Sequence, residues 1–178
     1  MDVHLRGGEP LKYRGDVILL GHFSDVLPLR GTVASMDWLF NASVSRLWKN
    51  RPTLLDFGAQ TLIPTQGKLP VSFVILMGLG KEGDFGRDLR REAYRMGIRA
   101  MAGLGAERVA TEEICMPDDQ DLSTVEEFYG VVAELADLPV RDAALFITSP
   151  ETLSAAKASF PRRSGAGTVP DSPNEATG

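Results

Sequence analysis

Val71-Ser-Phe-Val-Ile-Leu-Met77-Gly-Leu-Gly-Lys-Glu-Gly83 decides the fold class of this chain. The apolar run from Val71 to Met77 is too short for a helix core and is bounded by turn residues, which reads as a strand buried on both faces. A glycine-rich turn follows. From about Gly86 to Leu104 the residues Leu89, Ala93, Met96, Ala100 and Leu104 recur at helical spacing, with Gly105 as the stop. A buried strand running through a turn into an amphipathic helix is the repeating unit of a sheet covered by helices.

Upstream, Thr65-Gln-Gly-Lys-Leu-Pro70 separates this strand from Gln60–Pro64, so the two are expected to form an antiparallel hairpin. Asp16 to Phe23 reads as another buried strand and Ser24 to Gly31 as a loop. From Thr32 to about Lys49 a single amphipathic helix is expected, with Val33, Met36, Phe40, Val44 and Leu47 on its core face and Trp38 on the far side. Pro52 ends it.

Downstream, Arg108 to Cys115 reads as a strand of mixed polarity, placed nearer a sheet edge. Ser123-Thr-Val-Glu126 has capping-box spacing and opens a helix to about Leu138. Ala143 to Thr148 reads as a strand, and Ser149-Pro150-Glu151 opens a last helix to about Phe160. Helices and strands alternate, which predicts a three-layer α/β/α sandwich on a mixed, mostly parallel sheet. Residues 1–160 form one α/β domain on this reading. Pro161 to Gly178 carries one large aliphatic residue, Val169, and is expected to be a disordered tail.

The chain has 178 residues, a net charge of −5, 43% apolar and 24% charged residues, all within globular averages. No apolar stretch approaches the ~20 residues that span a bilayer, and the N-terminus lacks a signal-peptide core, so a cytoplasmic protein without a membrane partner is expected. Cys115, the single cysteine, excludes an internal disulfide. One cysteine with His4 and His22 gives no zinc pattern, and neither a metal nor a cofactor is called for. His22-Phe-Ser-Asp25 gathers hydrolase residue types, but triad members converge from separate parts of a fold, so a polar turn is the better reading.

Gly78, Gly80, Lys81 and Gly83 lie in a G-x-G-x-x-G between strand and helix and are candidate ligand-binding residues. The acid that a dinucleotide fingerprint places ~20 residues on has no match, since Glu112 and Glu113 lie well beyond it, which favours a plain glycine-rich turn. Arg87, Arg91, Arg95 and Arg99 form a stripe that offers an interaction surface for phosphates or an acidic partner. Asp84, Asp88 and Glu92 stand three residues before the first three arginines, which is the spacing of ordinary intrahelical ion pairs. Trp38 is the remaining candidate contact residue.

Asp16–Gly21 (DVILLG), the segment LPLRGTVASMDWLFNASVSRL with its Met-Asp-Trp-Leu around Asp37, and LIPTQGKLPVSFVILMGLGK resemble the N-terminal domain of the leucyl aminopeptidases of peptidase family M17. The resemblance runs from about Asp16 to Phe160. It implies a macro-domain-like α/β sandwich that in the family precedes the catalytic domain and helps to build a hexamer. The family's metal-site words, Phe-Asp-Ser-Gly-Gly and Asn-Thr-Asp-Ala-Glu-Gly-Arg, do not occur in this sequence. The resemblance therefore implies a non-catalytic relative, without aminopeptidase activity of its own. The expected action is association with itself, as a homo-oligomer, or with another protein, for which a catalytic aminopeptidase subunit is one candidate. Two alternatives stand beside it: macro-domain-like binding of a nucleotide or ADP-ribose near Gly78–Gly83, and DNA binding through the arginine stripe. The net charge of −5 disfavours nucleic acid.

Overall fold

Along the chain come β1 (Asp2–Arg6), β2 (Val17–His22), α1 (Gly31–Leu39), α2 (Ser43–Asn50), β3 (Gln60–Pro64), β4 (Phe73–Gly78), α3 (Arg87–Gly103), β5 (Arg108–Glu112), α4 (Ser123–Glu134), β6 (Asp142–Phe146) and α5 (Pro150–Ser159). The computed structural model describes residues 1–114 and 122–160; Cys115 and the expected tail from Pro161 lie outside the described residues. The sheet has the order β1-β6-β5-β2-β4-β3. Its pairs are parallel except β3 with β4, where Leu62 stands opposite Ile75. This is the mixed, mostly parallel sandwich that the alternation of elements predicts.

Side chains alternate across each strand, so β2 sends Leu19 to one face and Ile18 and Leu20 to the other. Leu19 and Met77 join Tyr94 and Ile98 of α3 and Phe128 of α4 in one buried layer. Ile18, Leu20 and Val74 join Met36 of α1 and Trp48 of α2 in the second. Each such side chain contributes about 1.5–3 kcal/mol by leaving water.

Five expectations are corrected. The helix expected from Thr32 to Lys49 is two helices, because Asn41 and Ala42 take positive φ of 54° and 57° and turn the chain. Trp48, not Leu47, then enters the core from α2. On α3 the buried side is Arg90, Ala93, Tyr94, Gly97, Ile98 and Met101, rotated from the predicted stripe, and Leu104 is exposed. The cause is that Gly97 admits Leu19, whose Cδ2 would sit 2.2 Å from an added Cβ, while Arg90 is neutralised inside. β5 lies in the sheet interior between β6 and β2; its polar residues Arg108 and Glu112 are strand ends, and Val109 and Ala110 between them are buried. The edges are instead β3 and β1, and β1 is a strand that sequence patterning missed. Finally, Ser123 does not cap α4: Leu122 holds that position, and the Ser123 hydroxyl accepts from Arg90 Nη2 at 3.3 Å. The start of α5 is as expected, with Ser149 Oγ accepting the Thr152 N–H at 3.2 Å.

Candidate functional site

β2 is followed by α1 on one face of the sheet and its neighbour β5 by α4 on the other, so a crevice opens where their C-terminal ends diverge. This is where open α/β sheets hold ligands. Here the rim is acidic and tied to the chain itself. Glu112, at the end of β5, accepts from Thr32 Oγ1 in the first turn of α1 at 2.8 Å, and burial pushes its carboxyl above the ordinary value. Glu113 accepts the Thr148 N–H at 2.5 Å, and Asp25 accepts the Glu82 N–H at 3.0 Å. His22, at the end of β2, stacks on Trp48 with ring centroids 5.1 Å apart, and its Nε2 lies 2.9 Å from the Val26 carbonyl oxygen. Burial pushes its imidazole below the ordinary value, which favours the neutral ring.

Gly78, Gly80, Lys81 and Gly83 come together in the turn after β4. Most of the turn's donors are engaged. The Gly78 N–H donates to Ala59 O at 2.8 Å, Leu79 to His22 O at 3.0 Å and Gly80 to Leu55 O at 3.0 Å. A Cβ on Gly78 would stand 2.4 Å from Asp56 O, and Gly80 has φ of +72°. The first two glycines are thus accounted for by the close approach of the segment before β3 and by a left-handed turn. α3 begins only at Arg87, after a short 3-10 turn over Glu82–Asp84, so Gly83 does not open the helix as a phosphate fingerprint would have it.

Arg87, Arg91 and Arg95 of the arginine stripe face α4, while Arg99 is exposed. Arg87 Nε lies 3.4 Å from Glu127, Arg91 pairs with Glu134, and Arg95 pairs with Glu92 and, at 2.7 Å, with Glu134. Hydrogen bonds from Arg95 and then Arg91 hold the Glu134 carboxyl below its ordinary value. Of the intrahelical pairs expected, Glu92 with Arg95 forms; Arg87 and Arg91 reach across to α4 instead. Sequence reading missed the most buried arginine, Arg90, which donates to Glu127 at 2.5 Å and 3.0 Å and to the Ile114 carbonyl at 3.2 Å. The sequence carried no signal for it, because the buried face of α3 is rotated from the apolar stripe that the spacing predicts.

Trp38 lies on α1 with 80% of its surface exposed. It borders two grooves: one of about 670 Å³ shared with Pro28, Leu29 and Asn41, and one of about 810 Å³ shared with Leu11, Leu69 and Pro70. Leu39 beside it and Leu27 before Pro28 are also exposed. The preceding residue points inward: Asp37 is buried and its Oδ1 accepts the N–H groups of Val44 and Ser45. The word Met-Asp-Trp-Leu therefore holds a structural acid and an outward tryptophan. Among the described residues no group of three or more His, Cys, Asp or Glu is placed to hold a metal ion. No helix among them is long and apolar enough to cross a membrane.

A macrodomain of Oceanobacillus iheyensis solved with ADP superposes with a TM-score of 0.70 at 13% identity, covering 86% of this chain and 87% of that one. The fold is macrodomain-like. At that identity the likeness concerns the fold alone. A leucine aminopeptidase of tomato, solved as a mutant, superposes with a TM-score of 0.62 at 11% identity over 88% of this chain and 35% of that one. In sequence, a probable cytosol aminopeptidase of Sulfurihydrogenibium sp. is 26% identical over 137 residues, covering 77% of this chain and 26% of that protein. The macrodomain-like chain is thus similar to the N-terminal part of cytosol aminopeptidases and spans about a quarter of that relative's length. No family model matches it.

Proposed function

We propose that the chain is a non-catalytic association domain that joins a second polypeptide through the α1 face around Trp38. The observation that carries this is a tryptophan 80% exposed between two grooves. An aromatic of this size buries ~150–250 Å² in an interface, and at roughly 25 cal/mol per Å² that supplies several kcal/mol. Tryptophans at the centre of a patch dominate measured interfaces. The first occupant is a second copy of this chain; an aminopeptidase subunit is the second, supported by the similarity to the N-terminal part of cytosol aminopeptidases. The relatives' cytosolic description also supports a cytoplasmic setting. Light scattering across micromolar concentrations tests the reading: a mass above one chain supports it, and a strict monomer that retains no aminopeptidase subunit contradicts it.

A nucleotide or ADP-ribose ligand is the second reading, favoured by the fold shared with a macrodomain solved with ADP. The rim carboxylates of Asp25, Glu112 and Glu113 oppose a diphosphate there. Calorimetry with ADP and ADP-ribose decides: saturable heat favours this reading, and silence at millimolar ligand ends it. DNA binding has less support, since Arg87, Arg91 and Arg95 are paired with carboxylates. A gel shift at low salt tests it.

A further inference from the structure

The edge strand β1 lies along a groove of about 830 Å³ formed by Val3 to Gly7, the turn after β1, Tyr129 and the end of α5. Asp2 donates its N–H to Arg141 O at 2.6 Å, and Arg6 O accepts the Ile147 N–H at 2.8 Å, so Asp2, His4 and Arg6 direct their backbone groups to β6. Alternation leaves the N–H and C=O groups of Val3 and Leu5 pointing outward along the groove. Such a row is a template for one more strand.

The side chains around the template carry one dominant sign. Arg6 stands 5.8 Å from the Tyr13 ring centroid on one wall, with Lys12 and Arg14 nearby; Lys157 stands on the other. Lys12 is paired with Glu9 at 2.9 Å, while Arg6, Arg14 and Lys157 have no ion pair with a carboxylate among the described residues. The second wall also holds Tyr129 stacked on Phe160, centroids 4.9 Å apart, which offers an apolar surface.

We infer that β1 is a docking edge for an acidic, extended peptide segment of another protein, added as a seventh strand with acidic side chains toward Arg6 and apolar ones toward Tyr129 and Phe160. Main-chain hydrogen bonds supply affinity in this mode, and the alternating walls supply selectivity. The site is separate from Trp38 and does not depend on the role proposed for it.

The test uses the full chain and a capped seven-residue peptide alternating Glu and Val, followed by fluorescence anisotropy and by amide hydrogen exchange. Saturable binding is expected, with slowed exchange at Val3 and Leu5 and no change at His4, which already faces β6. Arg6→Glu with Lys157→Glu, both on exposed residues, should weaken binding by about tenfold or more, and a Lys-Val peptide should not bind. The inference is overturned by no binding at millimolar peptide, by binding that leaves Val3 and Leu5 unprotected or survives the charge reversal, or by Val3 and Leu5 being fully protected before peptide is added. A single-stranded oligonucleotide that displaces the peptide at equal concentration would also overturn it.

Discussion

The Asp37 carboxylate accepts the Val44 backbone N–H at 2.9 Å, so an acid near the end of α1 caps α2 across the break at Asn41 and Ala42. The same oxygen takes the Ser45 N–H at 3.0 Å, and the second oxygen takes the Ser45 hydroxyl. No side chain at Ala42 can do this. Asp37→Ala should therefore lower the unfolding free energy by about 1–3 kcal/mol, because it removes a cap and leaves a buried N–H without a partner. Asp37→Asn should cost less, since an amide oxygen still accepts. Urea unfolding measures both; an alanine variant as stable as the parent contradicts the capping role.

Gly78 and Gly83 belong to one motif and should respond differently to alanine. At Gly78 the new Cβ meets backbone atoms of Leu55 and Asp56, which cannot swing aside, whereas nothing lies within 4 Å at Gly83. Gly78→Ala should destabilise by about 1–3 kcal/mol or more, and Gly83→Ala should stay within about 0.5 kcal/mol. Thermal melts without any ligand measure this. An unchanged midpoint for Gly78→Ala would show that packing does not require the glycine.

Burial raises the Glu112 carboxyl above its ordinary 4.5, the Thr32 hydroxyl lowers it, and the Glu113 charge raises it further. A folded-state value above the unfolded one means that the folded chain binds the proton more tightly. This stability is present below about pH 4.5 and is lost as pH rises through the folded-state value. Glu112→Gln keeps an acceptor for Thr32 without the charge. It should raise the melting midpoint at pH 7 relative to the parent and lose that advantage at pH 4. A gain of the same size at both pH values would contradict a buried, ionisable Glu112.

Local chemistry made much of this fold legible. Gln60–Pro64 and the Ser149 cap stand where the sequence places them, because a hairpin connection and a cap are decided within a few residues. The placement of Trp38 opposite the core face of its helix was also legible, since the helical wheel holds over Val33 to Leu39 even though the helix breaks soon after; whether another segment covers it was not. What failed depended on partners distant in sequence. β1 offers only Val3 and Leu5 as an apolar signal, and its pairing with β6 spans nearly the whole domain. Arg90 reads as a surface residue until Glu127 arrives from α4. The arginine stripe reads as paired within its own helix until Glu127 and Glu134 of α4 take Arg87, Arg91 and Arg95. The basic groove beside β1 is invisible without the edge strand that floors it.

If Trp38 anchors an interface, its removal should abolish assembly, which sedimentation velocity of the chain beside its Trp38→Ala variant measures. Because Trp38 lies outside both buried layers, the variant should melt within a few degrees of the parent. The parent should assemble above the mass of one chain at micromolar concentration, and the folded variant should sediment as a monomer. A parent that remains monomeric at the highest concentration reached and retains no aminopeptidase subunit, or a variant that assembles as fully as the parent, would contradict it.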